Sequence, residues 1–508
     1  SLGRMGDIYG RVRTYNLGFA VFTFFSLMLS ITWMTGHAAG IYLIVMRIFQ
    51  GVGAAMLMAN AAAILTDVFP DHQRGLALGI NQAAAFSGSF IGLVLGGVLA
   101  PINWRLIFLV SVPIGLFATV FGYLRLREVS PRRPARIDWP GNITFAVGLV
   151  LVMIGITYGI EPYGHKAMGW TNPTVIGELI LGVAFLVVFC IIETKVPQPM
   201  FRLQLFKIRA FTSGVLASFL AALSRGGLMF MLIIWLQGIW LPLHGYAFSV
   251  TPLWAGIAML PLTLGFLVAG PVSGVLSDRY GARPFATGGM LGSALCFFLL
   301  EYLPIDFPYW AFAILLLLTG MTMASFGSPN RAGVMNSLPP QHRGAGSGMN
   351  TTFQNSAQVL SIGIFFSLMI IGLTSSLTQN LFQGLVAHGV PPAAAEQAAH
   401  LPAVSTLFAA FLGYDPIQHL IGAHQLAQLP AVQQAALTGR SFFPGLISAP
   451  FRAGLHAAFD FAIFASLLAA GASWLRGGRY VYSEPDGTES VDVSVDPPKD
   501  EAAEGVAR

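Results

Sequence analysis

The sequence predicts an all-α polytopic membrane protein. Three observations carry that reading. Of 508 residues, 55% are apolar and only 10% charged, with a mean hydropathy of +0.69, whereas a soluble domain carries about 25% charged residues. Stretches of the roughly twenty apolar residues that cross a bilayer recur twelve times along the chain. The bases between them fall mostly in every second loop. So few charges cannot coat a water-facing surface of this size, which excludes a soluble enzyme, a disordered chain and a secreted disulfide scaffold. The runs are unbroken rather than alternating, which argues against a membrane β-barrel.

The twelve segments run at about 14–34, 41–67, 76–99, 104–125, 139–160, 174–193, 211–237, 253–276, 285–303, 309–336, 345–376 and 454–475. Most connections are short, so sequential helices pack as antiparallel neighbours. The bases orient them. Arg4, Arg11 and Arg13 precede the first segment, Arg74 follows the second, and Arg125, Arg127, Arg132, Arg133 and Arg136 follow the fourth. Lys195, Arg202, Lys207 and Arg209 follow the sixth, Arg279 and Arg283 the eighth, and Arg343 the tenth. Arg476, Arg479, Lys499 and Arg508 follow the last. Twenty of the 27 bases thus share one face, predicted to be cytoplasmic together with both ends of the chain. The opposite face has Arg105, Lys166, Arg440 and Arg452, and three bases, Arg47, Arg225 and Arg331, lie inside segments.

The net charge of +5 divides unevenly: the tail from Ser483 to Arg508 carries −6 and the remainder +11. The bases are scattered in loops, so the high isoelectric point does not indicate nucleic-acid binding. Cys190 and Cys296 fall inside apolar segments and form no disulfide framework or metal-ligand spacing. No phosphate-binding Gly-x-x-x-x-Gly-Lys-Ser/Thr loop and no nucleophile–base set is present, which argues against a membrane enzyme. One exterior loop, Leu377 to Arg452, is long and rich in Ala, Gln, His and Pro. Pro391-Pro392 opens a helix there, and Leu407-Phe408 with Phe411-Leu412 supplies an apolar face, so this stretch is either a solvated insert or a helical cap.

The chain repeats itself. Gly3-Arg-Met-Gly-Asp7-Ile-Tyr-Gly10 recurs 271 residues later as Gly274-Val-Leu-Ser-Asp278-Arg-Tyr-Gly281. Arg74-Gly75-x-x-x-Gly79-x-Asn81 recurs 269 residues later as Arg343-Gly344-x-x-x-Gly348-x-Asn350. Two pairs at nearly one offset, on one face, imply two halves related by an axis along the membrane normal. The Gly-x-x-x-Asp-x-x-Gly loops suit a tight interhelical turn. Arg11, Arg13, Arg279 and Arg283 beside them can pair with acids on adjacent helices, and Asp67 is such a partner. Arg47, in Leu43-x-x-x-Arg47-x-x-Gln50-Gly51-x-Gly53-Ala54-Ala55, lies inside its segment, where a charge must face water or a partner. Gly88-x-x-x-Gly92-Leu93-x-x-Gly96-Gly97 sets glycines along one helix face for close packing.

Together these patterns resemble the major facilitator superfamily, in particular its fourteen-helix drug:proton antiporter branch, over the chain up to about Arg479. The loop motif after the family's second helix matches Gly3 to Arg13, with its second copy at Gly274 to Arg283. The fourth-helix motif matches Leu43, Arg47, Gln50, Gly51, Gly53, Ala54 and Ala55, and the fifth-helix antiporter motif Gly88, Gly92, Gly96 and Gly97. Leu93 stands where the family has Pro, and Ile8 where it has a base, which Arg279 keeps in the second copy. On this register the family's first two helices are expected before Ser1.

The resemblance implies a fold of two pseudo-symmetric helical bundles plus two central linker helices. The expected boundaries are 1–137 for the N-terminal bundle, 138–194 for the linker helices, 195–376 for the C-terminal bundle, 377–453 for the exterior loop, 454–476 for the last helix and 477–508 for an acidic disordered tail. It further implies a monomeric carrier of the inner or plasma membrane, without cofactor. A proton gradient would drive it to export amphipathic small molecules by alternating access. A dedicated metabolite carrier, an inactive truncated transporter and a channel are the alternatives. Gating falls to Gly3, Asp7, Gly10, Arg11, Asp67, Gly274, Asp278, Arg279, Gly281 and Arg283. On physical grounds the coupling or cavity candidates are Arg47, Gln50, Gly51, Arg225, Asn81, Asn350 and Asp460.

Overall fold

A computed structural model describes residues 2–477 apart from 71–72, 100–101, 129–137, 165, 167, 198, 200, 340–341, 401, 413–420 and 423–425. The acidic tail beyond 477 lies outside the described residues, as do Arg132, Arg133 and Arg136. Among the described residues the chain is helical, with one isolated bridge between Tyr163 and Lys166 and no strand. It is an all-α polytopic membrane protein with twelve candidate spans among these residues.

The short helix α1 (Leu2–Tyr9) leads into α2 (Arg11–Ser30), α3 (Gly36–Val68) and α4 (Arg74–Leu99). Then α5 (Arg105–Leu109) and α6 (Ser111–Arg125) form one span. The next two, α7 (Trp139–Ile160) and α8 (Pro173–Lys195), make a hairpin. Asp138 caps α7 by accepting from Gly141 N at 2.9 Å, and Asn172 caps α8 by accepting from Thr174 N at 3.0 Å. Proline follows each cap within the first turn, where its missing N–H is harmless.

The second half opens with α9 (Arg209–Trp235), which runs through a π turn at Leu236–Trp240 into α10 (Leu241–Leu243). It continues with α11 (Thr251–Ala258), α12 (Leu260–Tyr280), α13 (Ala282–Glu301), α14 (Tyr309–Asn336) and α15 (Arg343–Thr374). The exterior stretch forms α16 (Leu377–Ala387), α17 (Pro392–Ala399), α18 (Ala403–Leu412) and α19 (Ala431–Leu437). The last helix, α20 (Phe442–Trp474), begins at Phe442 rather than near 454, so the exterior stretch ends twelve residues earlier than expected. Pro444 falls in its first turn, where proline is tolerated, and Pro450 lies inside the helix.

The two half-specific turns share one backbone solution. Gly10 joins α1 to α2 at φ 109°, and Gly281 joins α12 to α13 at φ 87°, conformations that residues with a Cβ rarely adopt. The first-half helices α2, α3 and α6 pack together, with α3 pressed on α2 so that a Cβ on Gly53 would stand 2.6 Å from Phe22 N. In the second half, α9, α12, α13, α14, α15 and α20 enclose a continuous apolar core. That core runs on into the exterior helices through Leu381, Leu385, Ala395 and Leu407, and Phe366 of α15 stacks on Phe408 of α18 at 5.8 Å. The exterior stretch is therefore a helical cap seated on the second half.

The α7–α8 hairpin packs on α15. Phe145 and Phe189 meet Phe201 at 5.5 and 5.4 Å, and Phe201 stacks on Phe353 of α15 at 5.9 Å. The two halves meet along α4, which lies against α12, α11 and α14, and where α1 and α3 reach α15.

Candidate gate and central cavity

The base-rich end of the first half is held by an ion pair and a cap. Arg11 Nη1 donates to Asp67 Oδ2 at 2.5 Å, with the two side chains 15% and 29% exposed. Glu128, just beyond α6, accepts from Arg11 N at 3.0 Å and from Val12 N at 3.1 Å. Its carboxylate thus satisfies two orphan N–H groups of α2 and complements the helix dipole. Gly10 is the joint that lets the chain turn over this carboxylate: a Cβ there would crowd Glu128. Asp67 also acts electrostatically on Arg343 at the start of α15, in the other half. The charge of one carboxylate is therefore felt by bases of both halves, although only Arg11 is paired with it. The side chains of Gly3 and Asp7 lie outside the described residues, although α1 itself packs against α3 and α15.

The second copy of the loop is built differently. Gly274 is buried and Arg279 exposed in α12, with Asp278 half-buried between them. Arg283 does not meet an acid as expected; its guanidinium lies over the Trp474 ring at 3.9 Å. The buried base here is Arg476, which donates to Asn330 Oδ1, while Asn330 Nδ2 donates to Ser218 Oγ at 2.7 Å. Burial pushes the Arg476 guanidinium down to about 10. The charge pattern assigned Arg476 to a loop, and it instead plugs the end of the second bundle between Gly214 and Gly333.

Deeper in the first half, Arg47 Nη1 donates to Gln50 Oε1 at 3.1 Å, and Gln50 Nε2 donates to Ser26 Oγ at 2.7 Å. The guanidinium lies 4.7 Å from the Phe108 ring centroid. Arg47 is thus aimed by its own helix, by α2 and by α5, and its side chain remains exposed. Gly51 faces open space. Glu128, Ser26, Phe108 and Arg343 were not singled out from sequence as parts of this machinery. Only Glu128 left a local trace, as the first acid after a base-rich helix end.

The seam between the halves is a backbone contact. A Cβ on Gly79 would stand 2.7 Å from Gly270 O, and one on Gly97 would stand 2.7 Å from Leu253 Cα. Gly88, Gly92 and Gly96 are not packing glycines here: a Cβ on any of them would meet nothing within 4 Å. The reason is helix phase, since α4 turns Gly79, Ala83 and Gly97 to its neighbours and the other stripe away. Beside the seam, Arg225 of α9 lines a narrow cavity with Ala83, Phe266, Gly270 and Ser328. Ser361 of α15 ties α9 in place, accepting from Gly227 N at 2.8 Å and donating to Leu223 O at 2.5 Å. Asn81 is half-buried on α4, and Asn350 is buried on α15. Asp460 is exposed on α20, one turn below His456, whose Nδ1 is 3.0 Å from Glu301 Oε1. Among the described residues no group of three potential metal ligands assembles.

Residues 1–362 match the family described as Major Facilitator Superfamily. The riboflavin transporter RibZ of Clostridioides difficile is 30% identical over 73% of this chain and 76% of its own length. Multidrug resistance protein 3 of Bacillus subtilis is 27% identical over 75% and 71%. The methyl viologen resistance protein SmvA of Salmonella typhimurium is 30% identical over 74% and 72%. The chain belongs to the major facilitator superfamily, a family of membrane transporters rather than enzymes.

Proposed function

We propose that this carrier exports amphipathic small molecules in exchange for protons, as a monomer of the inner or plasma membrane in the manner of the fourteen-helix drug:proton antiporters. Its base-rich face is cytoplasmic, its energy source is the proton gradient, and no cofactor takes part. The observation that carries this reading is the Arg11–Asp67 ion pair at the base-rich end, whose carboxylate charge also reaches Arg343 of the other half and so can serve as a charge lock between them. Such a lock stabilises the state closed to the cytoplasm and releases when the halves rock apart. The drug-resistance names of two relatives support the substrate class. Arg47, held by Gln50 and facing Phe108, is the group proposed to couple proton movement to the rocking.

In inverted vesicles energised by an acid interior, the chain should accumulate ethidium and dissipate the pH gradient as it does so. Arg47→Ala should abolish both, and unchanged accumulation would remove Arg47 from the mechanism. A dedicated metabolite carrier is the second reading, favoured by the riboflavin transporter among the relatives. Riboflavin transport with no drug transport would select it.

A further inference from the structure

The end of the second half opposite the base-rich face carries a hydrogen-bonded triad that neither the gate nor Arg47 uses. Glu301 ends α13, and Arg452 and His456 stand one turn apart on α20. Arg452 Nε donates to His456 Nε2 at 3.2 Å, and His456 Nδ1 lies 3.0 Å from Glu301 Oε1. The imidazole is 39% exposed, so water reaches it, while the carboxylate is 15% exposed.

Those partners dictate where the ring's proton sits. A guanidinium only donates, so Nε2 must offer its lone pair. A neutral imidazole carries one N–H, which then belongs to Nδ1 and donates to Glu301. A second proton can arrive only on Nε2, where it meets the Arg452 N–H and displaces it. The same proton turns the Glu301 contact into a charge-assisted one. Among the described residues lining the adjoining cavity, Glu301 and Arg452 are the charged groups, and Trp235 of α9 is apolar there. The other charges on the helices packed against α20 lie elsewhere: Arg343 at the start of α15, Arg209 and Arg225 at the start and middle of α9, and Arg283 at the start of α13. Asp460, one turn further along α20, is exposed, and Asp306, beyond α13, faces His244 Nε2 at 3.3 Å. His244 has an acceptor at each nitrogen, Trp240 O at 2.8 Å being the other, so protonation there displaces no donor.

We propose that His456 is a proton-binding switch at this end of the carrier. Neutral, it bridges Arg452 to Glu301. Protonated on Nε2 by a proton from the adjoining water, it releases Arg452 and holds Glu301 as an ion pair. The helices α13 and α20 stay joined in both states, and what changes is the freedom of the Arg452 guanidinium. In the export reading this is the side from which protons enter. A part for the switch in coupling rests on that reading, whereas the proton site itself does not.

The test uses the full chain in nanodiscs, isotopically labelled at its histidine ring nitrogens, with the His456 signal identified by its absence in His456→Leu. At about pH 8 the magnetic-resonance spectrum should report the Nδ1–H tautomer, the reverse of the Nε2–H form that a free imidazole favours, and at about pH 5 both nitrogens should carry protons. A double-mutant cycle in thermal unfolding supplies the second readout. Arg452→Leu with His456→Leu should show a coupling of about fivefold in the unfolding constant at about pH 8, the scale of one hydrogen bond, and less than about twofold at about pH 5. Glu301→Ala with His456→Leu should show a coupling at both. If His456→Leu fails to fold, its signal is identified by the shift it undergoes in Arg452→Leu, and the tautomer decides. An Nε2–H tautomer at the higher pH, a single ring proton at the lower, or an Arg452–His456 coupling equal at both overturns the switch. Proton-driven ethidium transport together with any of these results would leave the export reading standing while this inference falls. The expected tautomer and coupling without such transport would leave the switch standing and remove its part in coupling.

Discussion

Replacing Asp67 with Asn should open the base-rich end of the carrier. Asp67 contacts Arg11 at 2.5 Å with both side chains largely covered, and it acts on Arg343 across the boundary between the halves. At an effective dielectric of about 20 the attraction within such a pair is about 4 kcal/mol. Desolvation and side-chain ordering reduce the net effect to about 1–2 kcal/mol. If that energy distinguishes the closed from the open state, its loss shifts their ratio about five- to thirty-fold. The assay places a cysteine at Ala77, which is 8% exposed on α4, in a chain whose exposed Cys190 and buried Cys296 are replaced by serine. Maleimide labelling at position 77 should accelerate by the same factor in Asp67→Asn. The exchange Arg11→Asp with Asp67→Arg separates gating from folding. It rebuilds the pair within the first half, and so should recover thermal stability, but it sets an arginine against Arg343 and so should remain open. Labelling that changes less than about twofold in Asp67→Asn, or that returns to the original rate in the exchanged pair, would refute the lock.

Other changes test the packing and the cap. Gly97→Ala forces a Cβ against the Leu253 backbone and should lower thermal stability by about 1–3 kcal/mol, whereas Gly88→Ala should stay within about 0.5 kcal/mol, both read from thermal unfolding in detergent. Glu128→Gln keeps the shape of the α2 cap but removes its charge; a loss of about 0.3–1 kcal/mol is expected, shrinking at high salt, and a salt-independent loss would argue for packing instead.

Helix existence was legible because a bilayer leaves so little freedom. Segments such as 139–160 and 309–336 need about twenty apolar residues whatever they pack against, and both helices match the reading to the residue. The start of α20 was not legible. Phe442 to Ala453 contains Pro444, Pro450 and Arg452, which read as loop, and the stretch is helical because it docks Phe443, Ile447 and Phe451 into the core beneath the cap. The candidate site was legible as residue types and partly as pairings. Asp67 was identified as a partner for the loop arginines, but the cap from Glu128 and the influence on Arg343 join positions far apart in the chain. The phase of α4 was the plainest gap, since a glycine repeat specifies that one face is smooth without specifying which neighbour, if any, lies against it.

By itself the sequence determined that this chain is a bundle of membrane helices, which loops carry the bases, and that its halves are copies. Those properties follow from local composition, spacing and repetition. The tertiary structure alone decided which face of α4 forms the seam, that Arg283 rests on an indole while Arg476 is buried, and that Arg225 opens onto a cavity shared by both halves. Each of these depends on how one helix is rotated against another. That rotation is a balance of contacts between residues distant in the chain, which no local pattern encodes.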